Sequence, residues 1–325
     1  SMGWKGKEEW DCDIKAKLGD REDLGDLRFI GPILYYDKEP VYPVPFSIVG
    51  KITRSGKDEC VNSGRYLTPG NSLRCDIDPA HDVRLPSLTK GGEGLETLDG
   101  WWITQSELSK YLKGNKIDSK ALIPSKKLWK TEVRIGIQRN PDSRTTEEGA
   151  LYSPHHIRLQ QKAELCMFAS TTIPRSDISS VIPVGGESRA CRIYFEDNNS
   201  EFKPELPELK EKDGRILYTV MVLTPLKMDP PPQPNHPFLA LPGKLVSACM
   251  PRPIRLGGWE NFNHIHIKSP KPLKPFIAPG SVFFMEANAS EKEQIKSYHG
   301  KTIGQSSAWG FGFIAIGQWN EGEKP

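Results

Sequence analysis

Proline sets the first limit on this chain. Twenty-eight of its 325 residues are proline, and seven of them fall between residues 225 and 242. A prolyl ring removes a backbone donor and clashes with the preceding helical turn. It is therefore confined to first turns, strand edges and loops. An all-helical bundle is excluded, and strands joined by long turns are expected. The 225–242 stretch reads as an extended loop.

Apolar alternation and β-branched or aromatic runs mark strands at 28–35, 101–104, 132–138, 157–160, 162–169 and 190–195. A second set follows at 215–223, 244–249, 274–277, 281–287 and 312–319. Helical patterns are short: 104–111, opened by Thr104 with Glu107 three residues on, and 290–298, opened by Ser290. The fold class is α+β with antiparallel sheets. The acidic, proline-broken stretch 197–213 separates the two strand sets. We place an N-terminal domain over 1–198 and a C-terminal domain over 199–325, with 199–213 as linker. The C-terminal order is strand, long connection, strands, short helix, strand. It suits a ferredoxin-like βαββαβ module, also the RRM scaffold, whose first helix is replaced or shortened.

Charge is polarised along the chain. Residues 243–275 hold six bases and one acid, and residues 120–144 hold seven bases and two acids. Each window is net +5 in a chain whose total is +3, so the remainder is acidic. Two basic segments on an acidic body fit a protein that grips a polyanion with one face, although solvated lysine-rich surfaces give the same arithmetic.

Several motifs lie among these charges. Gly185-Gly186-Glu187-Ser188-Arg189 leads into a strand. Its glycines permit either a plain β-turn or close approach of backbone amides to phosphate. Arg189 pairs with Glu187 or faces nucleic acid. Gly257-Gly258-Trp259 follows Arg252 and Arg255; Trp259 stacks on a base or plugs the core. Gly310-Phe311-Gly312-Phe313 is a weak echo of an aromatic RNA-binding signature and equally suits sheet packing. Residues 138–149, with Arg139 and Arg144, join two strands as a protruding hairpin arm or an ordinary exposed loop, and Arg134 lies on the strand before it.

Enzyme signatures are sparse. No GxSxG, Walker A, GxGxxG or HExxH pattern occurs. His155 and His156 are adjacent and diverge on a strand, while His264 and His266 could share a face without an evident ligand set. The six cysteines, at positions 12, 60, 75, 166, 191 and 249, form no CxxC pair. They fit the reducing cytoplasm, and residues 1–11 do not read as a signal peptide. The longest apolar run, near 216–226, is far short of a membrane span.

Taken in order, several of these motifs resemble one family. They are Gly31-Pro32, Pro43-Val44-Pro45, Glu132-Val133-Arg134-Ile135-Gly136-Ile137, then Arg144, Glu148-Gly149 and Leu151-Tyr152, then Gly185-Gly186-Glu187 with Arg189. Pro251-Arg252-Pro253, Gly257-Gly258-Trp259, Pro279-Gly280-Ser281-Val282 and Gly310-Phe311-Gly312-Phe313 complete the series. Over roughly residues 25–320 the chain resembles the RAMP family that forms the third Cmr subunit of type III-B CRISPR RNA-guided effectors. The resemblance implies two ferredoxin-like domains. The family's opening strand and helix have no counterpart here, so the first domain is expected to be incomplete at its N-terminus.

It also implies a non-catalytic role, without cofactor or metal. The subunit would hold the 5′ repeat-derived tag of the guide RNA and dock between the large cyclase/polymerase-like subunit and the backbone RAMP subunit. The residues expected at RNA are Arg134, Arg139, Arg144, Gly185, Gly186, Arg189, Arg252, Arg255, Gly257, Gly258, Trp259, Lys271 and Lys274. The competing expectation is a metal-independent endoribonuclease that processes repeat RNA, with His155 or His264 as general acid or base.

Overall fold

The computed structural model describes residues 24–319 apart from 57, 76–77, 89–90, 141, 171–180, 185–188, 196–201, 228–240 and 262–267. Antiparallel sheet dominates, as the proline pattern requires.

The N-terminal sheet is built around Phe29–Tyr36. Its neighbours are Ala163–Ala169 on one side and, on the other, Glu39–Pro43, Trp101–Thr104 and Ile123–Pro124 in that order. Asp37 and Lys38 both take positive φ and make a two-residue turn that pairs Tyr36 with Glu39. Thr104 then caps helix α1 (Gln105–Leu112), its hydroxyl accepting from the Glu107 amide at 3.4 Å. Glu107 does not complete a capping box. Its carboxylate instead accepts from the Asp118 amide at 2.8 Å and pairs with Lys110.

The C-terminal sheet runs Ile314–Gln318, Arg215–Val222, Val282–Asn288, Lys244–Cys249, all antiparallel, with the short Glu211–Lys212 also pairing Arg215–Val222. In chain order the four long strands lie 4-1-3-2. Alternate side chains fill two cores: Met221, Val282, Phe284 and Ala315 face one, while Val220, Val222, Phe283 and Met285 face the other. Burial on both faces explains why these strands read as continuous apolar runs. A 3-10 turn (Ala289–Glu291) leads into helix α2 (Lys292–Ser297), whose Ile295 is fully buried. The expected Ser290 cap is not used. Asn288 starts the turn instead, its amide donating to Glu291 at 2.9 Å.

The two strand sets share a core. One cluster joins Ile33, Tyr42, Ile103 and Leu108 to Met221, Phe284, Phe313 and Trp319. Trp309–Gly310 adds to the N-terminal sheet, parallel to Phe29 and Ile30. There the backbones nearly touch: a Cβ on Gly310, which has φ +90°, would fall 2.3 Å from the Gly31 carbonyl oxygen. The described part of the expected linker, from Phe202, is a strap stitched to both sides. Phe202 stacks on Phe168 at 3.8 Å between centroids. The Lys203 carbonyl accepts from Gln105 at 2.9 Å, and the Glu205 amide donates to Ser109 at 3.0 Å. His299 of the C-terminal half meets the Pro204 carbonyl at 2.7 Å.

Sequence reading missed two hairpins: Ile48–Ser55 with Asp58–Tyr66, and Thr68–Cys75 with Asp78–Ser87. The first starts in the core at Ile48 and runs out into solvent by Arg54, so its inward side is only Ile48, Gly50 and the half-buried Ile52. The predicted strand 132–138 is two strands, Trp129–Val133 and Gly136–Arg139, each with its own partner.

Candidate nucleic-acid interface

The basic residues fall on three hairpins that share no strand pairing among the described residues. The richest is a ribbon after Cys249. Ile254–Leu256 pairs with Lys274–Phe276, and Trp259–Asn261 pairs with Lys268–Pro270. Between these, the Lys271 amide donates to the Gly258 carbonyl at 2.7 Å. Pro251, Pro253, Pro270, Pro272 and Pro275 remove donors along it, which keeps it two-stranded. Its root is held by Phe276, buried and tilted against Phe311 at 5.2 Å.

Folding thus brings Arg252, Arg255, Gly257, Gly258, Trp259, Lys271 and Lys274 onto one element. Arg252, Arg255, Lys271 and Lys274 are all exposed. No ion pair among the described residues involves any of them. Arg255 lies opposite Pro275 and Lys274 opposite Leu256, so these two cations project from opposite faces of the ribbon.

The paired glycines differ. A Cβ on Gly257 would come within 2.8 Å of Leu273 Cδ2, the end of an exposed side chain that can move aside, and 3.3 Å from the Lys271 carbonyl oxygen. At Gly258 the nearest atom would be Lys271 Cδ at 3.9 Å, and φ is not left-handed. Nothing in the fold demands glycine there.

The arm forms as expected. Trp129–Val133 pairs with His155–Leu159, and beyond Arg134 the strand Gly136–Arg139 pairs with Thr146–Tyr152. Asn140 closes its tip, its side-chain oxygen accepting from the Asp142 and Ser143 amides at 2.9 and 3.1 Å, and Arg144 sits there at φ 56°. Its charge is another matter. The +5 window ended at residue 144 and cut the hairpin in two; the return strand brings Glu147 and Glu148, and residues 129–159 total +1. Glu132 also holds Arg158 at 2.9 Å and Arg134 at 3.7 Å, and Lys126 is on Glu59 at 3.1 Å. What the arm exposes is aliphatic: Val133, Ile135, Leu151 and Ile157 are 61–74% exposed.

Arg189 is exposed and opens the strand Arg189–Arg192, paired with Val181–Val184. Gly185 and Gly186 lie outside the described residues. Gly310-Phe311-Gly312-Phe313 is structural: Gly310 meets Gly31, a Cβ on Gly312 would lie 1.9 Å from the Ile303 carbonyl oxygen, and Phe313 is fully buried. A surface hollow of about 330 Å³ beside Trp101, which sequence reading did not anticipate, is lined by Arg54 and Lys126 paired with Glu59 and Glu96, and by Asp99. Arg54 meets Glu96 at 2.9 Å there and holds its carboxyl below the usual range.

Among the described residues the candidate catalytic groups do not converge. His155 pairs across from Val133 and His156 from Glu132, so they diverge. His264 and His266 lie outside the described residues. Burial pushes the Cys249 thiol up to about 12, which removes it as a nucleophile. Among the described residues no three His, Cys, Asp or Glu side chains gather as a metal set, and no helix is long and apolar enough to cross a membrane.

No curated protein sequence gives a match. Two solved structures of a type III-B Cmr-beta complex contain chains similar in fold. One complex is bound to cognate target RNA and AMPPnP: 14% identity, 91% of this chain and 76% of the other covered, TM-score 0.43. The second is bound to cognate target RNA: 13% identity, 91% and 74% covered, TM-score 0.44. The family model for CRISPR-associated protein (Cas_Cmr3) matches residues 1–319. With the motifs above in their order and that match running through nearly the whole sequence, the chain belongs to the Cas_Cmr3 family of CRISPR-associated proteins.

Proposed function

We propose that this chain is a non-catalytic, RNA-holding subunit of a type III-B CRISPR effector. It grips the 5′ tag of the guide RNA and bridges the large cyclase/polymerase-like subunit to the backbone RAMP subunit. The observation that carries the RNA reading is the 252–274 ribbon, where four exposed cations lie outside any described ion pair. Cations held away from carboxylates are the ones that can exchange counterions for phosphate. The 4-1-3-2 order of the C-terminal sheet supports a ferredoxin-like domain there. The arm's near-neutral charge makes Arg134, Arg139 and Arg144 weaker candidates than the ribbon residues. The divergence of His155 and His156 favours binding over cleavage, since a metal-independent ribonuclease needs an acid and a base that converge on one phosphate.

Gly258 provides the test. A glycine with no structural need, flanked by free cations, suits close approach of a sugar-phosphate backbone. Gly258→Val should leave the melting temperature unchanged and weaken binding of tag-bearing single-stranded RNA. Unaltered affinity in a folded variant removes Gly258 from the interface, and specific cleavage of repeat RNA by the purified chain would replace this reading with the endoribonuclease.

A further inference from the structure

One imidazole links the strap to the outer strand of the C-terminal sheet, in addition to Leu209 in that sheet's core and Glu211–Lys212 paired on Arg215–Val222. His299 follows α2. Its Nε2 lies 2.7 Å from the Pro204 carbonyl oxygen, and its Nδ1 lies 3.1 Å from the Ile316 amide nitrogen. A carbonyl can only accept and an amide can only donate. The two contacts therefore fix the ring's hydrogens: Nε2 carries one and Nδ1 carries none. A single neutral tautomer satisfies both.

The Ile316 amide belongs to an outer strand. Ile314–Gln318 is laddered only to Arg215–Val222, and its other side is closed by the chain after α2. There the Ile314 amide donates to the Lys301 carbonyl and the Gly300 amide to the Ile314 carbonyl, both at 3.0 Å. His299 Nδ1 stands where a neighbouring strand would place its next acceptor, so the ring finishes an edge that would otherwise be open to pairing. The same ring holds Pro204, while the strap's other contacts at Gln105 and Ser109 belong to the N-terminal half.

The charges around His299 are few. On the strap are Lys203 and Glu205, the latter paired with Lys113. On α2, Lys296 is paired with Glu293 at 2.7 Å. Lys301 lies over the Tyr298 ring, and Ile314–Gln318 carries no titratable side chain. Burial holds the imidazole below its ordinary range, Lys203 pushes the same way, and the Pro204 carbonyl opposes them.

We propose that His299 is a proton-operated latch. A proton taken from solvent at Nδ1 turns its acceptor into a donor and breaks the bond from the Ile316 amide, which frees the sheet edge, while Nε2–H stays on the Pro204 carbonyl. The closed latch prefers the neutral ring, so it is shut above the free imidazole value of about 6.5. It opens as pH falls from there toward the lower folded value. Across that window the opening constant rises by up to about tenfold per pH unit, then levels.

The test uses the full chain. Nitrogen chemical shifts at pH 7.5 should report the Nε2–H tautomer of His299. Amide exchange at Ile316, corrected for intrinsic rate, should lose protection between pH 7 and pH 5 while amides of Arg215–Val222 keep theirs. His299→Gln should give an Ile316 protection that no longer changes with pH. An Nδ1–H tautomer, a pH-independent Ile316 in the wild type, or the same pH dependence in His299→Gln overturns the latch. Should His299→Gln fail to fold, the wild-type tautomer and pH profile decide by themselves.

Discussion

Neutralising Arg252 and Arg255 offers a quantitative handle on the ribbon. Each cation that displaces a counterion from single-stranded nucleic acid contributes about −0.7 to the slope of log affinity against log salt. Four engaged cations on the ribbon would give a slope near −2.8 from this element, or a loss of about 50-fold in affinity between 50 and 200 mM salt. With Arg252→Gln and Arg255→Gln together the slope should shrink by about 1.4, leaving a loss of about sevenfold over the same range. At 0.1 M salt the two removed terms amount to about 25-fold weaker binding. Both side chains are exposed, so thermal stability should not move. The control is the arm: Arg134→Gln with Arg158→Gln removes cations that Glu132 already holds, and the slope should change by less than about 0.5. Filter binding or fluorescence anisotropy with a tag-bearing single-stranded RNA across a salt series reads all of this. Equal slopes for the wild type and the ribbon variant, or a larger slope change from the arm pair, would refute the assignment of the counterion exchange to the ribbon.

Three further outcomes follow from the packing. Gly310→Ala forces a Cβ against the Gly31 carbonyl at a φ that suits glycine; it should cost about 3 kcal/mol or more in urea unfolding, lowering the midpoint of both halves together. Thr104→Ala removes the side-chain cap of α1 and should cost about 1 kcal/mol by the same measurement. At pH 8, iodoacetamide should modify the exposed Cys60 and Cys191 and spare Cys249, whose thiol is buried and raised to about 12; fast labelling of Cys249 under native conditions, read by mass spectrometry, would contradict its burial.

The parts of the fold that were legible in the sequence are those where one side of a strand meets a core. Lys244–Cys249 emerges with its expected bounds and Arg215–Val222 within one residue, because apolar burial dictates their composition. The hairpins between 48 and 87 were illegible because, beyond Ile48, Gly50 and Val61, their described side chains are half-buried or exposed, where polar residues serve as well as apolar ones. For the interface, the ribbon's cations were legible as a linear cluster because both strands fall within one short window. The arm misled for the converse reason: its neutralising acids Glu147 and Glu148 arrive only on the return strand, past the end of the basic run.

The contact between Gly31 and Gly310 has a consequence for synthesis. The N-terminal sheet gains its Trp309–Gly310 neighbour only after almost the entire chain has left the ribosome. At about 5–20 residues per second, Phe29 and Ile30 at the start of the strand wait on the order of 15–60 s for that partner. Vectorial folding of the first half as a finished unit is therefore closed to this protein, and a nascent chain truncated before residue 309 should engage chaperones where the full-length chain does not.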